Sequence, residues 1–151
     1  MADTALTSLL AEDSILLDRT AVDRFDAVRQ SGAALVAAGA VDASYVDAMI
    51  QRENTVSTFV GEGVAIPHGT LAGKEAVKRD ALVVLRFPDG VDWEGNTVYV
   101  TVGIAAAGGG HIALLSQLAE ILLDPEKAEQ LRTATSREQV YALLTPDEDE
   151  D

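Results

Sequence analysis

Gly63-Val64-Ala65-Ile66-Pro67-His68-Gly69 is a short apolar run that ends in a histidine held between proline and glycine. Proline fixes its own φ and pushes the residue before it into extended backbone, so Val64 to Ile66 read as the end of a strand. Gly69 has no Cβ, which permits unusual backbone angles and close approach of another molecule to the imidazole ring. Imidazole is the side chain whose ordinary pKa lies near neutrality, so its neutral form offers a nitrogen lone pair without special activation. The stretch therefore predicts a histidine nucleophile at the C-terminal edge of a strand, open in front. The plainer alternative is a histidine that only packs beside a turn.

Upstream, Thr55 to Ile66 is rich in β-branched and aromatic residues around Gly61 and Gly63, the pattern of a hairpin or bulged strand leading into His68. Before it lie two amphipathic helices. The first runs from Thr20 to a natural C-cap at Gly39, with Phe25, Val28, Leu35 and Val36 on its apolar face. The second follows Asp42 and buries Tyr45, Val46, Met49 and Ile50, with Arg52 and Glu53 in its last turn. Ser14 to Leu17 reads as a first strand after a polar lead-in over residues 2–12.

Downstream, Leu71 to Asp80 reads as a loop or short helical turn, and Ala81 to Phe87 is an almost continuous apolar run, as expected of a strand covered on both faces. Pro88-Asp89-Gly90 predicts a turn that ends it. Thr97 to Ala106 alternates as another strand. Three glycines and His111 then precede the helical pattern Ile112, Leu115, Leu118, Ala119 and Leu122. Asp124-Pro125 predicts an N-cap and first helical residue for a helix through Leu131. Thr135 with Glu138, and Ser136 with Gln139, both have capping-box spacing before a last helix carrying Val140, Leu143 and Leu144. Strands in the middle and helices at both ends predict an α/β fold with one largely internal sheet and helices on both faces.

The 151 residues, 48% of them hydrophobic and 24% charged, suit a single folded domain with a real core. The expected boundaries are one domain over 1–151, its core from about 10 to 145 and an acidic tail over 146–151. The net charge of −14 argues against nucleic acid and in favour of basic partners. Absence of cysteine removes disulfides, thiolate chemistry and thiolate metal sites, which fits a cytoplasmic location. Met1 to Leu10 lacks the pattern of a signal peptide, and every apolar stretch is interrupted well before the roughly 18 residues a membrane span needs, so no membrane insertion is expected.

Two further residues are candidates for chemistry. His111 follows the glycines at the expected N-terminus of a helix, where unpaired N–H groups and the dipole favour an anion and disfavour imidazolium. A neutral His111 there donates to a phosphate oxygen; otherwise it caps the helix or is exposed. Arg52 carries a guanidinium that clamps two phosphate oxygens at once, or else is a solvated arginine beside Glu53 at a helix end. No third fingerprint glycine follows Gly61 and Gly63, there is no Walker lysine motif and no G-x-S-x-G elbow. The two histidines lie 43 positions apart without local ligand spacing, so neither metal nor cofactor is expected.

Tyr45 to Glu53, Ser57 to Gly61, Gly63 to Gly69, Phe87 to Val91, and Gly103 to Ala106 with His111 together resemble the enzyme IIA domain of the mannitol and fructose class in the bacterial sugar phosphotransferase system. The order of elements agrees from Ser14 to Leu144, and Phe-Pro-Asp-Gly-Val leans towards the mannitol type. The resemblance implies an α/β sandwich with a mixed central sheet. It implies that His68 accepts a phosphoryl group from phosphohistidine on the carrier HPr and passes it to a IIB component. His111 would assist at the phosphoryl site, with Arg52 stabilising it and backbone N–H groups near Gly109 and Gly110 contributing. It further implies that the IIB and the sugar-translocating membrane IIC are separate chains. The alternative of a different class is a regulatory module of the nitrogen-regulatory type, which signals by phosphorylation-dependent protein binding. A third reading is a non-catalytic binding domain on the same fold.

Overall fold

The structure, a computed structural model, describes residues 10–55, 57–69, 75–106 and 110–144, with backbone alone for 11–12 and 110–115. In chain order the elements are β1 (Leu10–Leu16), α1 (Arg24–Ala37), α2 (Ser44–Thr55), β2 (Phe59–Gly61), β3 (Val64–Ala65), β4 (Ala81–Trp93), β5 (Asn96–Ala105), α3 (Gly110–Leu122), α4 (Pro125–Arg132) and α5 (Arg137–Leu144). The five strands form one sheet in the order β1-β4-β5-β3-β2. β1 with β4 and β3 with β5 are parallel, whereas β4 with β5 and β2 with β3 are antiparallel. The expected mixed sheet with helices on both faces is therefore present.

Each face of the sheet closes its own core. On one side Val64, Leu82, Val84, Val100, Val102 and Ile104 meet Leu118 and Leu122 of α3, Leu131 of α4, and Val140 and Leu144 of α5. On the other, Val83, Leu85, Phe87, Val91 and Trp93 meet Ala27, Val28 and Leu35 of α1, and Tyr45 and Met49 of α2. This is why β4 reads as an unbroken apolar run: both of its faces are withdrawn from water. Ser31 and Thr101, buried between α1 and β5, satisfy each other at 2.9 Å.

Most expected caps form, although α1 starts at Arg24 and not at Thr20. Asp23 accepts from Asp26 N–H at the start of α1, and Gly39 takes a left-handed φ of 76° just beyond its end. Asp124 caps α4, with Pro125 as its first residue. Of the two boxes expected before α5, Ser136–Gln139 is the one that forms, since Ser136 Oγ accepts from Gln139 N–H and Gln139 Oε1 accepts from Ser136 N–H.

Two expectations are corrected. Pro88-Asp89-Gly90 does not end a strand: it lies inside β4, which continues to Trp93. Pairing jumps from Arg86↔Val100 to Val91↔Val98, so the segment forms a bulge. Proline lacks a ladder donor and Gly90 takes a φ of 81°, both of which a bulge accommodates as well as a turn does. The reversal comes at Glu94-Gly95. The first strand also starts earlier than Ser14, because Leu10 is buried and pairs with Leu82 across an irregular register. The expected acidic tail and residues 71–74 of the expected loop lie outside the described residues.

Candidate functional site

β3 is only two residues long, yet the chain follows β5 well beyond it. Val64↔Val100, Ala65↔Thr101 and His68↔Ile104 share one register. The ladder is interrupted because Pro67 has no N–H to give, while on the other side the Ile66 N–H donates to Thr58 C=O at 3.0 Å. Pro67 C=O then accepts from Ile104 N–H at 2.9 Å. His68 thus sits three residues beyond the end of β3, opposite the penultimate residue of the adjacent parallel strand β5.

His68 is half-buried, and its Nδ1 lies 2.8 Å from the C=O of Ile66. A carbonyl oxygen only accepts, so Nδ1 carries the proton and the lone pair of the neutral ring resides on Nε2. The backbone of the Pro-His stretch therefore selects the tautomer.

Two side chains of α2 hold this stretch in place. The fully buried carboxylate of Glu53 accepts from the N–H of Thr58 at 3.3 Å and from its hydroxyl. It also accepts from Trp93 Nε1 at 2.8 Å, and Arg24 Nε lies 3.7 Å away. A buried carboxylate is tolerable only with such partners. Through Thr58 C=O the network reaches Ile66 and so the carbonyl that orients His68. Tyr45 acts on the other side, its hydroxyl accepting from Gly69 N–H at 2.9 Å. Burial raises the Tyr45 pKa above its ordinary value, with the Gly69 hydrogen bond opposing the shift.

Residues 8–146 match the family described as phosphoenolpyruvate-dependent sugar phosphotransferase system, EIIA 2. The chain belongs to that family. A mannitol-specific phosphotransferase enzyme IIA component of Staphylococcus aureus is 41% identical over 139 residues, covering 92% of this chain and 96% of the relative. A multiphosphoryl transfer protein of Salmonella typhimurium is 48% identical over 120 residues, or 79% of this chain. That alignment covers 32% of the relative, so this chain spans about a third of such proteins. The crystal structure of IIA mannitol from Escherichia coli superposes with a TM-score of 0.83 at 35% identity, over 89% of this chain and 98% of that one. A complex of Escherichia coli enzyme IIA mannitol with phosphorylated enzyme IIB contains a chain with the same TM-score at 33% identity, covering 90% and 98%.

In this EIIA the sequence-predicted residues fall as follows. Arg52 is half-buried in the last turn of α2, adjacent to Glu53 and so one residue from the network that reaches Ile66. His111 is the second residue of α3, which starts beyond the C-terminal end of β5, the strand that pairs with His68. The His111 side chain and Gly109 lie outside the described residues, and Gly110 opens the helix. Among the described residues no three His, Cys, Asp or Glu side chains group as a metal site, and no helix is long and apolar enough to cross a membrane.

Glu53 and Tyr45 are the residues whose part the sequence concealed. Tyr45 was legible as a buried helix residue, and Glu53 as a partner of Arg52. Their true partners lie far along the chain. One sequence signal was available: a single tryptophan in the chain needs an acceptor for its indole N–H if buried. Gly69 also differs from expectation. The space of its missing Cβ is taken by the Tyr45 ring, whose Cε1 would stand 2.6 Å from that Cβ, and not by an incoming molecule.

Proposed function

We propose that this EIIA is a phosphocarrier in which His68 takes a phosphoryl group from phosphohistidine on HPr and hands it to a IIB component, for uptake of mannitol or a fructose-like sugar through a membrane IIC. The observation that carries the reading is the hydrogen bond between His68 Nδ1 and Ile66 C=O, which leaves Nε2 as the nucleophilic nitrogen.

The step follows from that geometry. Nε2 attacks phosphorus as the bond to the carrier's imidazole nitrogen breaks, and the bonding pair returns to the carrier's ring. The proton stays on Nδ1, donated to the Ile66 carbonyl, whose dipole stabilises the positive charge that the phosphorylated ring acquires. Transfer to IIB reverses the roles, with Nε2 as the leaving nitrogen. Such transfers depend on in-line placement and charge stabilisation more than on covalent help. Arg52 is the guanidinium assigned to the equatorial oxygens. His111 and the first N–H groups of α3 supply donors at a helix N-terminus, where the dipole favours the same anion. No metal or cofactor enters the scheme. The net charge of −14 suits carriers that surround their histidine with basic residues.

The mannitol-specific name of the Staphylococcus aureus relative and the IIA–IIB complex of the Escherichia coli neighbour support a IIB acceptor. We place the protein in the cytoplasm, with residues 1–151 as one IIA domain. Incubation with phosphoenolpyruvate, enzyme I and HPr, followed by mass spectrometry, tests the proposal. Wild type is expected to gain one acid-labile phosphoryl group and His68→Ala none. Gain by both, or by neither with cognate partners, refutes it. Phosphorylation without delivery to any IIB points to the regulatory role instead.

A further inference from the structure

The pairing of His68 with Ile104 has two rungs, and only one is an ordinary one. Ile104 N–H donates directly to Pro67 C=O at 2.9 Å. On the second rung, where the Gly69 N–H faces Ile104 C=O, stands the Tyr45 hydroxyl. It accepts from Gly69 N–H at 2.9 Å and donates to Ile104 C=O at 2.9 Å. A phenol has one proton to give and lone pairs to receive, so the two bonds run in series through a single oxygen. Both flanks of His68 are thus referred to one residue of β5: directly before the histidine, and through the phenol after it.

A hydroxyl inserted into a ladder acts as a spacer. It lets the chain leave β5 immediately after His68 while fixing how far it departs. The ring that carries this hydroxyl is itself located by Gly69, since a Cβ there would meet Tyr45 Cε1 at 2.6 Å and Cζ at 2.8 Å. Tyr45 and Gly69 are therefore fitted to each other through both the hydrogen bond and the close contact. The rest of the ring lies in the core against the α1–α2 face.

We propose that Tyr45 is a positioning residue for phosphoryl transfer, its hydroxyl setting the distance of the His68–Gly69 peptide from β5 and with it the orientation of the imidazole. The inference rests on the reading of His68 as the phosphoryl acceptor. A residue that merely filled the core would change stability and leave the histidine ring as it was. A spacer changes the ring.

The test uses Tyr45→Phe, which keeps the ring and removes the oxygen, and Gly69→Ala, which keeps the oxygen and drives the ring away. Two quantities are read in folded protein: the His68 tautomer by ¹⁵N-detected NMR, and the rate of phosphoryl acceptance as a function of phospho-HPr concentration. In both variants we expect a mixed tautomer in place of Nδ1–H, and a maximal transfer rate reduced roughly tenfold or more, with half-saturation unchanged, as for a reacting group misplaced by a fraction of an ångström. A wild-type tautomer and wild-type rate in folded Tyr45→Phe overturn the inference. Should that variant not fold, the same outcome in Gly69→Ala overturns it. If wild type accepts no phosphoryl group, the acceptor reading fails by itself, and the tautomer alone still decides whether Tyr45 orients His68.

Discussion

The β4–β5 and β2–β3 hairpins both reverse through Glu-Gly, with φ of 56° and 93° at Glu94-Gly95 and of 55° and 76° at Glu62-Gly63. Positive φ at both central residues matches the twist of antiparallel strands, and glycine takes the second position without steric cost. Beyond the turn the two have little in common. β4 and β5, thirteen and ten residues long, are the centre of the sheet and are covered on both faces. β2 and β3, three and two residues long, form its edge and cannot hold themselves by their ladder.

Beyond the pairing of β3 with β5, the short hairpin is held by side chains that arrive from helices. Arg132 of α4 donates to Glu62 C=O at the turn, Glu53 of α2 binds Thr58 just before β2, and Tyr45 of α2 binds Gly69 just after His68. The long hairpin supplies the fixed frame, and the short one carries the histidine on a segment whose position is set by a few anchored contacts. His68, the proposed phosphoryl acceptor, therefore sits where single side chains have a large part in setting the geometry.

The largest effect expected from this contrast is at Glu53. Glu53→Ala leaves the Thr58 and Trp93 donors and the Arg24 guanidinium without their carboxylate, and denaturant unfolding should register a loss of roughly 3–5 kcal/mol. Its counterpart in the long hairpin is Asp92→Ala, which removes only an exposed 3.2 Å bond to Gly95 N–H and is expected to cost under about 1 kcal/mol. Equal losses would break the comparison.

The two turns give a second, smaller difference. Gly95→Ala meets open space, so only its backbone angle is penalised, by about 1 kcal/mol. Gly63→Ala carries the same penalty, and its Cβ would also stand 2.7 Å from Arg132 Cδ and 3.3 Å from the Tyr99 ring. It should lose about 2 kcal/mol in thermal or chemical unfolding and slow phosphoryl acceptance, because displacing Arg132 loosens the turn before His68. Gly95→Ala should leave acceptance unchanged.

The gentlest effect is one of pH. Tyr45 has its pKa raised by burial, so the native state holds this proton more tightly than the unfolded chain. Its contribution to stability is complete below the unfolded value near 10 and is lost as pH climbs from there through the raised folded value. Over that window Tyr45 should add a downward slope of at most about 1.4 kcal/mol per pH unit, which Tyr45→Phe abolishes. Identical alkaline profiles for the two proteins would remove the tyrosine from the account.

Much of this was legible because it is local. Apolar periodicity located α1 and α2, Asp124-Pro125 and Ser136–Gln139 marked helix starts, and the Pro-His-Gly block marked the strand edge. Pro88-Asp89-Gly90 misled because proline and glycine suit a bulge for the same reasons that they suit a turn, and only pairing with Val98 and Val100 decides between them. The anchors of the site were concealed for a related reason. Tyr45 meets Ile104 across 59 positions and Glu53 meets Trp93 across 40, distances at which no spacing rule operates. Gly69 was visible as a missing side chain, but the neighbour that uses the space was not.

On the proposed reading, the fold presents Nε2 of His68 to an incoming phosphoryl group. Phosphorylating ¹⁵N-histidine-labelled protein through HPr and locating the phosphorus by ³¹P and ¹⁵N NMR tests it most directly. One phosphoryl group is expected, on Nε2 of His68, with the proton retained on Nδ1. Phosphorus on Nδ1 of His68, or on His111, contradicts it.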